Sequence, residues 1–354
     1  MPRQEHSLIC LFNRDSHRRS RTAHGIEVRV NRLSIHIVNP LTDAFGGSEQ
    51  RTVDYFTLLS SRADVTLWAE EEPHAEFAHL PLRRLGPARD GLPQGGTLVL
   101  VGIYIDRTRW LARVRPDRLI VVYNTPELFR LRRLLDFIAG TGLPQPELVF
   151  PSETHRASTR MAGFVDWGLY DFELFKPAHR APESGRFTVG RLSRDDQYKH
   201  HPQDVRLYRD LADRGMRVRL MGASVFRESL GKVESIELLD TGAIAAPVFL
   251  LSLDAFIYRT GPIRGEAAGR VVVEAMACKL PVVVGRNGGY RELIDHGTNG
   301  FLFDTRVEAV AYLEALRADP ALALSVGRAA RSTVIGRFDQ AHVDRVCEFF
   351  LRLH

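Results

Sequence analysis

The amino-acid sequence predicts an α/β protein made of two Rossmann-like units whose parallel sheets face a central cleft. Three observations predict it. Short apolar runs alternate with segments of helical spacing from Leu33 to the C-terminus, the pattern of a parallel sheet covered on both faces. The alternation lapses once, in the proline- and charge-rich stretch FKPAHRAPESGR from Phe175 to Arg186, and then starts again. With 354 residues, 44% of them hydrophobic and 26% charged, the chain is long enough for two cores, which excludes a disordered or coiled-coil molecule.

Taken in order, residues 1–31 read as a flexible basic extension. Seven arginines precede Leu33, with only Glu5, Asp15 and Glu27 opposing them, and they carry most of the formal net charge of +5. The segment RDSHRRSRTAHG has little periodicity. The rest of the chain is almost neutral, which argues against a nucleic-acid partner.

Residues 32–178 form the expected first unit. LSIHIVN reads as a buried strand, PLTDAFGGSEQ as a glycine-rich loop, and Glu49 to Ser60 as a helix, the opening of a Rossmann-like fold. Further strands are expected in DVTLWA, GTLVLVGIYI, RLIVVYN and ELVFPSE.

The second unit, residues 183–337, offers strands in FTVGRLS, VRLMGAS, SIELLD, DAFIYRT, PVVVGRN and GFLFDT, with helices in QDVRLYRDLADRG and GRVVVEAMACK. In the final segment, residues 338–354, Val343, Val346, Cys347, Phe350 and Leu351 share one helical face and need a packing partner. Ligands of such open sheets bind at the carboxyl ends of the strands, in the cleft.

Cys10, Cys278 and Cys347 are far apart and in no metal-ligand spacing, so no metal site and a reducing, cytoplasmic setting are expected. No apolar run reaches the roughly 18–20 residues that cross a bilayer, and no secretion signal is evident.

The chemistry concentrates in Glu266 to Glu274 of GEAAGRVVVEAMA. A helix starting near Gly269 would aim the N–H groups of Gly269, Arg270 and Val271 outward, where an anion gains hydrogen bonds and a macrodipole term of about 0.3–1 kcal/mol. A diphosphate suits such a place. Glu266 precedes the helix and reaches hydroxyls beyond the phosphates. Glu274, four residues after Arg270, either takes the vicinal hydroxyls of a ribose or pairs with Arg270 on a helix face.

The run from Gly265 through EAMACKLPVVVGRNGGYRELIDHGTNGFLF resembles the donor site of the GT-B, family-4 retaining glycosyltransferases, whose Glu-x7-Glu spacing Glu266 and Glu274 keep. The resemblance continues in FTVGRLSRDDQYKHHPQDVRLYRDLADRGMRVRLMG, where Arg191 and Lys199 match the family's basic pair. Lys199 is one of four lysines beside 44 arginines. The local alternatives are a salt bridge of Arg191 with Asp195 or Asp196 and a solvated loop at Lys199. Gly46 and Gly47 of GGSE are similar to the glycine loop that approaches the donor phosphate, or else form only a tight turn. The segment VDWGLYDFELFKP is similar to the family's end-of-domain signature.

Two departures stand out. The spacer DDQYKHH is longer than the family's, which leaves the second cation open, and Lys279 stands where glycine is common.

The resemblance implies transfer of a sugar from a nucleoside-diphosphate donor of UDP or GDP type to a glycan, glycolipid or other cell-envelope precursor, with retention of configuration. It implies no separate cofactor. Arg191, Lys199 and the helix amides would neutralise the leaving diphosphate without a metal, and the sequence has no Asp-x-Asp motif. Glu266 would orient the sugar. Glu274 would hold the ribose. Asn124 and His155 are candidates for the place beside the anomeric carbon, and the last helix would cross back to the first unit.

The arginines at 107, 109, 113, 115 and 118, with Arg130, Arg132 and Arg133, either face an anionic glycolipid at the inner surface of a membrane or form solvated helix faces. Two other readings remain: a non-catalytic nucleotide-sugar-binding subunit, and a GT-B-fold sugar-nucleotide epimerase.

Overall fold

In a computed structural model, residues 33–88, 91–177, 185–262 and 265–352 are described. The basic extension and most of the expected linker lie outside them.

The first sheet has seven strands in the order β3-β2-β1-β4-β5-β6-β7. These are β1 (Ser34–Asn39), β2 (Asp64–Ala69), β3 (Leu82–Arg84), β4 (Thr97–Val101), β5 (Arg118–Val122), β6 (Glu147–Phe150) and β7 (Phe164–Val165). Every pairing is parallel. β4 and β5 are buried at every position, which explains why their runs are continuously apolar instead of alternating. The short edge strands β3 and β7 have no run of their own in the sequence, and neighbouring strands recruit them.

The second sheet has six parallel strands, β10-β9-β8-β11-β12-β13. They are β8 (Thr188–Leu192), β9 (Arg217–Met221), β10 (Ile236–Leu239), β11 (Ala255–Tyr258), β12 (Val282–Gly285) and β13 (Phe301–Phe303). In each sheet the strand order reverses beside the first strand, between β1 and β4 and between β8 and β11. Connections on the two sides of such a point leave in opposite directions and open a crevice at the strand ends.

Helices cover both sheets. Those that position the site are α1 (Gly47–Ser60), α4 (Glu153–Thr159) and α8 (Arg270–Ala277). The cleft-facing start of α1 follows β1, and that of α8 follows β11. α10 (Pro320–Arg337) begins with a proline in its first turn and an Asp319 cap and packs Val326, Ala330 and Val334 into the second half.

The chain then turns at the buried Phe338. α11 (Gln340–Leu351) buries Val346, Cys347 and Phe350 with Ile35, Tyr55 and Leu58 of the first half. The Phe350 ring lies 4.7 Å from that of Tyr55, and the Phe350 carbonyl accepts from Arg118 at 3.2 Å. Burying a side chain of this size is worth roughly 1.5–3 kcal/mol.

The arginine-rich segment divides. Arg107 is buried against Glu70 at 2.6 Å, and Arg118 against Glu147 at 2.7 Å, so these two hold the first half together. Arg109, Arg113, Arg115, Arg132 and Arg133 are exposed. Among the described residues, no helix is long and apolar enough to cross a membrane.

Candidate functional site

The two crevices open toward each other. From the loop after β8, Arg194 reaches Asp43, in the loop after β1, at 2.8 Å. From the start of α8, Arg270 reaches Asp54 of α1 at 2.8 Å.

On the second half, Glu266 lies in the turn between β11 and α8, held by a bridge to Gly288 and by a bond of 2.9 Å from the Gly289 N–H to its carbonyl. Its Oε2 accepts from the Lys199 ammonium at 2.7 Å and from the Tyr258 hydroxyl at 2.8 Å. Burial pushes this carboxyl upward, but Lys199, Tyr258 and Arg194 together outweigh burial, and its pKa falls below the ordinary value. Glu266 is therefore a carboxylate at neutral pH.

Arg191 sits beneath this pair. Its side chain is 1% exposed, lies 4.7 Å from the Tyr258 ring, and donates to the carbonyls of Arg259 and Lys199. Asp204 balances it at 3.8 Å and takes Arg259 at 2.6 Å. In this arrangement Arg191 holds the backbone of Lys199, and the two expected cations occupy different layers: Lys199 faces the cleft and Arg191 forms its floor.

Gly269 caps α8 with φ +88°, and an added Cβ would stand 2.4 Å from the Tyr290 ring. Only glycine suits both conditions. The helix that follows leaves its first N–H groups without partners inside the helix, while Val271 packs against the core. Glu274 accepts from Arg270 at 2.9 Å. The pair expected from the spacing exists, but Glu274 is buried rather than on a solvated face. Burial raises its pKa, and Arg270 opposes the rise. Arg270 also lies over the Tyr170 ring at 5.0 Å.

On the first half, the glycine loop starts α1. Nothing stands within 4 Å of a Cβ built on Gly47, whereas one on Gly46 would lie 1.9 Å from Oε2 of Glu49. Gly46 thus accommodates the chain's own carboxylate, whereas Gly47 is exposed with open space around it. Glu49 is buried, with its pKa raised by desolvation. It accepts from Tyr104 at 3.1 Å. Asn39, at the end of β1, ties Tyr104, Ser48 and the Val101 carbonyl together.

His155 lies in α4, stacked on Tyr123 at 4.7 Å. Desolvation lowers its pKa to about 4, with Glu266 pulling it up and Arg51 pushing it down. The ring is neutral at pH 7 and feels the carboxylate across the cleft. Asn124, just past β5, has a contact of 3.5 Å with Thr125.

Reading the sequence missed Arg194, Tyr258, Glu49 and Asp54. Arg194 and Tyr258 lie in quoted motifs, but nothing local marks them. Asp54 reads as an ordinary helix-surface acid until Arg270 is placed against it.

Residues 237–333 match the glycosyl transferases group 1 family, so the second half carries a domain of that family. A probable sucrose-phosphate synthase of Thermosipho melanesiensis is 51% identical over 43 residues, 12% of this chain and 10% of that protein. A D-inositol 3-phosphate glycosyltransferase of Pseudarthrobacter chlorophenolicus is 44% identical over 71 residues, 20% of this chain and 17% of that protein. The matched stretches thus span under a fifth of these relatives. The crystal structure of Anabaena HepE with UDP and glucose superposes with a TM-score of 0.71 at 17% identity, covering 91% of this chain and 100% of that one. The fold is GT-B.

Proposed function

We propose that the chain is a retaining glycosyltransferase that moves a hexose from a nucleoside-diphosphate sugar of UDP or GDP type to a glycan, glycolipid or other cell-envelope precursor. The observation that carries this reading is the pairing of Lys199 with Glu266 at 2.7 Å, beside the start of α8 and where the crevices of the two sheets meet.

Residues 32–178 with 338–354 would be the acceptor domain and 183–337 the donor domain. The exposed arginines of the first half favour work at the inner, cytoplasmic face of a membrane. HepE, solved with UDP and glucose, makes UDP-glucose the first donor to test.

Breaking the bond from C1 to the diphosphate builds positive charge on the sugar and negative charge on the leaving group. The Lys199 ammonium and the N–H groups of Gly269, Arg270 and Val271 meet that negative charge, Gly47 approaches it from the other half, and Arg191 supports Lys199 from below. Glu266 orients the sugar hydroxyls, and Glu274, freed of part of its bond to Arg270, takes the ribose. The acceptor oxygen bonds to C1 on the face the phosphate leaves, and its proton passes to the departing phosphate oxygen. Without an Asp-x-Asp motif in the sequence, the cations and amides of the chain carry the charge.

Thermal-shift or calorimetric screening against UDP, GDP, ADP and their sugars tests this reading. Stabilisation by one nucleotide and its sugar is expected, and silence from all of them would sink it. Binding without turnover would leave a nucleotide-sugar-binding subunit.

A further inference from the structure

At the end of α8 opposite to Gly269 lies a second gathering of charge. Lys279, Arg328, Arg331, Ser332, Ile335 and Gly336 line an open groove of about 450 Å³ between the turn after α8 and the second half of α10. That volume falls within the range of small-molecule sites, about 300–1,000 Å³. Three of these residues are cations and none is an acid. The length of α8, roughly 12 Å at 1.5 Å per residue, separates the groove from the candidate donor site.

The fold brings the cations together. α10 passes the turn so closely that a Cβ on Gly327 would stand 2.2 Å from the Lys279 carbonyl oxygen, so only glycine fits there, and Arg328 follows it. Lys279 keeps a left-handed backbone, φ +61°, which a side chain adopts at a cost. Arg331 is half-buried. Its Nη1 donates to the Phe175 carbonyl at 3.2 Å and to the Ala277 carbonyl, which fixes the guanidinium.

The chain does not balance these charges. Elsewhere half-exposed arginines find carboxylates, as Arg214 finds Glu314 at 3.1 Å and Arg286 finds Asp304 at 3.0 Å. Among the described residues, Lys279 and Arg328 have no ion-pair or hydrogen-bond partner, and Arg331 has only carbonyls. The carboxyl end of α8 accounts for one cation, the Arg331 that meets its carbonyl. It does not account for three, which repel one another until an anion joins them.

We propose that this groove binds a small organic phosphomonoester. The phosphate pairs with Lys279, Arg328 and Arg331 and takes the Ser332 hydroxyl as a further donor, while the carbon part lies along Ile335, which is 38% exposed. A phosphate offers three strong acceptor oxygens and up to two charges, which suits this donor set. A carboxylate offers two oxygens and one charge. The site is independent of the nucleotide site.

Calorimetry of the full chain with glycerol 3-phosphate and with inorganic phosphate tests it, at about pH 8, where a phosphomonoester is doubly charged. Saturable binding is expected, tighter for glycerol 3-phosphate by about fivefold, the scale of covering part of one aliphatic side chain. Arg328→Ala and Lys279→Gly should each weaken it by about tenfold or more, the loss of one charge-assisted hydrogen bond. Because Lys279→Gly relieves the strained turn, its loss of binding does not come from unfolding. Lys199→Met should leave binding within about twofold of wild type, since that lysine serves the other end of α8. Binding that Lys199→Met abolishes and Arg328→Ala spares, or heats that sodium chloride reproduces at equal ionic strength, overturn the proposal. So do the absence of saturable binding and equal affinity for the two phosphates.

Discussion

The ammonium of Lys199 lies 2.7 Å from Oε2 of Glu266, across 67 residues of sequence, and the Tyr258 hydroxyl meets the same oxygen at 2.8 Å. A partly buried carboxylate keeps its charge where partners outweigh desolvation, and here they do. The pair is therefore a charge device as well as a contact.

Removing the ammonium should expose that balance. In Lys199→Met, burial acts on Glu266 with less opposition, so the acid limb of the pH–turnover profile moves to higher pH. Turnover near pH 7 should fall by about 10²-fold, the cost of losing one preorganised charge. The folded pKa of Glu266 lies below its unfolded value, so its ionised form stabilises the chain above the ordinary carboxylate range, and that contribution is lost as pH falls through the depressed value. Turnover and thermal unfolding, each measured across pH 3 to 8 in steps of about half a unit, check both limbs; an unmoved acid limb in the variant would disconnect Lys199 from Glu266.

The two carboxylates of the Glu-x7-Glu spacing should separate by ligand. Glu274→Ala should weaken free UDP by about tenfold, the equivalent of about 1.4 kcal/mol. Glu266→Ala should leave UDP binding close to wild type, lower turnover by about 10²-fold and relax the choice of sugar. Calorimetry with UDP, alongside turnover of UDP-glucose, reads both. Two variants indistinguishable from wild type would remove the ribose and sugar assignments together.

Asp54 is buried with Arg270 against it at 2.8 Å. Asp54→Ala leaves the guanidinium with Glu274 alone, which retains part of the charge balance, so a cost of about 2 kcal/mol is expected, below the 3–5 kcal/mol of a fully broken buried pair. Because the bond joins the halves, small-angle scattering should also show a wider molecule at equal ionic strength. A variant of wild-type stability and dimensions would show that Arg270 and Asp54 do not hold the cleft.

Lys279 follows α8 with φ +61°, in a turn where the Leu280 N–H returns to the Ala275 carbonyl at 3.1 Å. A side chain in this left-handed position carries strain of roughly 1–2 kcal/mol, and glycine removes it at some cost in unfolded-state entropy. Lys279→Gly should stabilise the chain by up to about 1 kcal/mol with turnover unchanged. Denaturant titration checks it, and a destabilised variant would mean that the Lys279 side chain contributes more than its strain.

The sequence by itself determined the two parallel sheets, the helix start at Gly269 and the residues gathered around it. Apolar period and glycine placement act within a few residues, so GRVVVEAMACK and RLIVVYN declare their structure without reference to the rest of the chain. Resemblance then attached Arg191 and Lys199 to the same chemistry. Only the tertiary structure decided that Lys199 faces the cleft while Arg191 lies beneath it, that Glu49 fills the space at Gly46, that Arg270 has a second acid in Asp54, and that Ser152 joins His155 to the loop of Glu266. Periodicity tells which face of an element is buried, but not what covers it. The partner of a charged or hydroxyl group is set by which strand ends meet at the two switch points, and Arg270 and Asp54, which meet there, lie 216 residues apart in the chain.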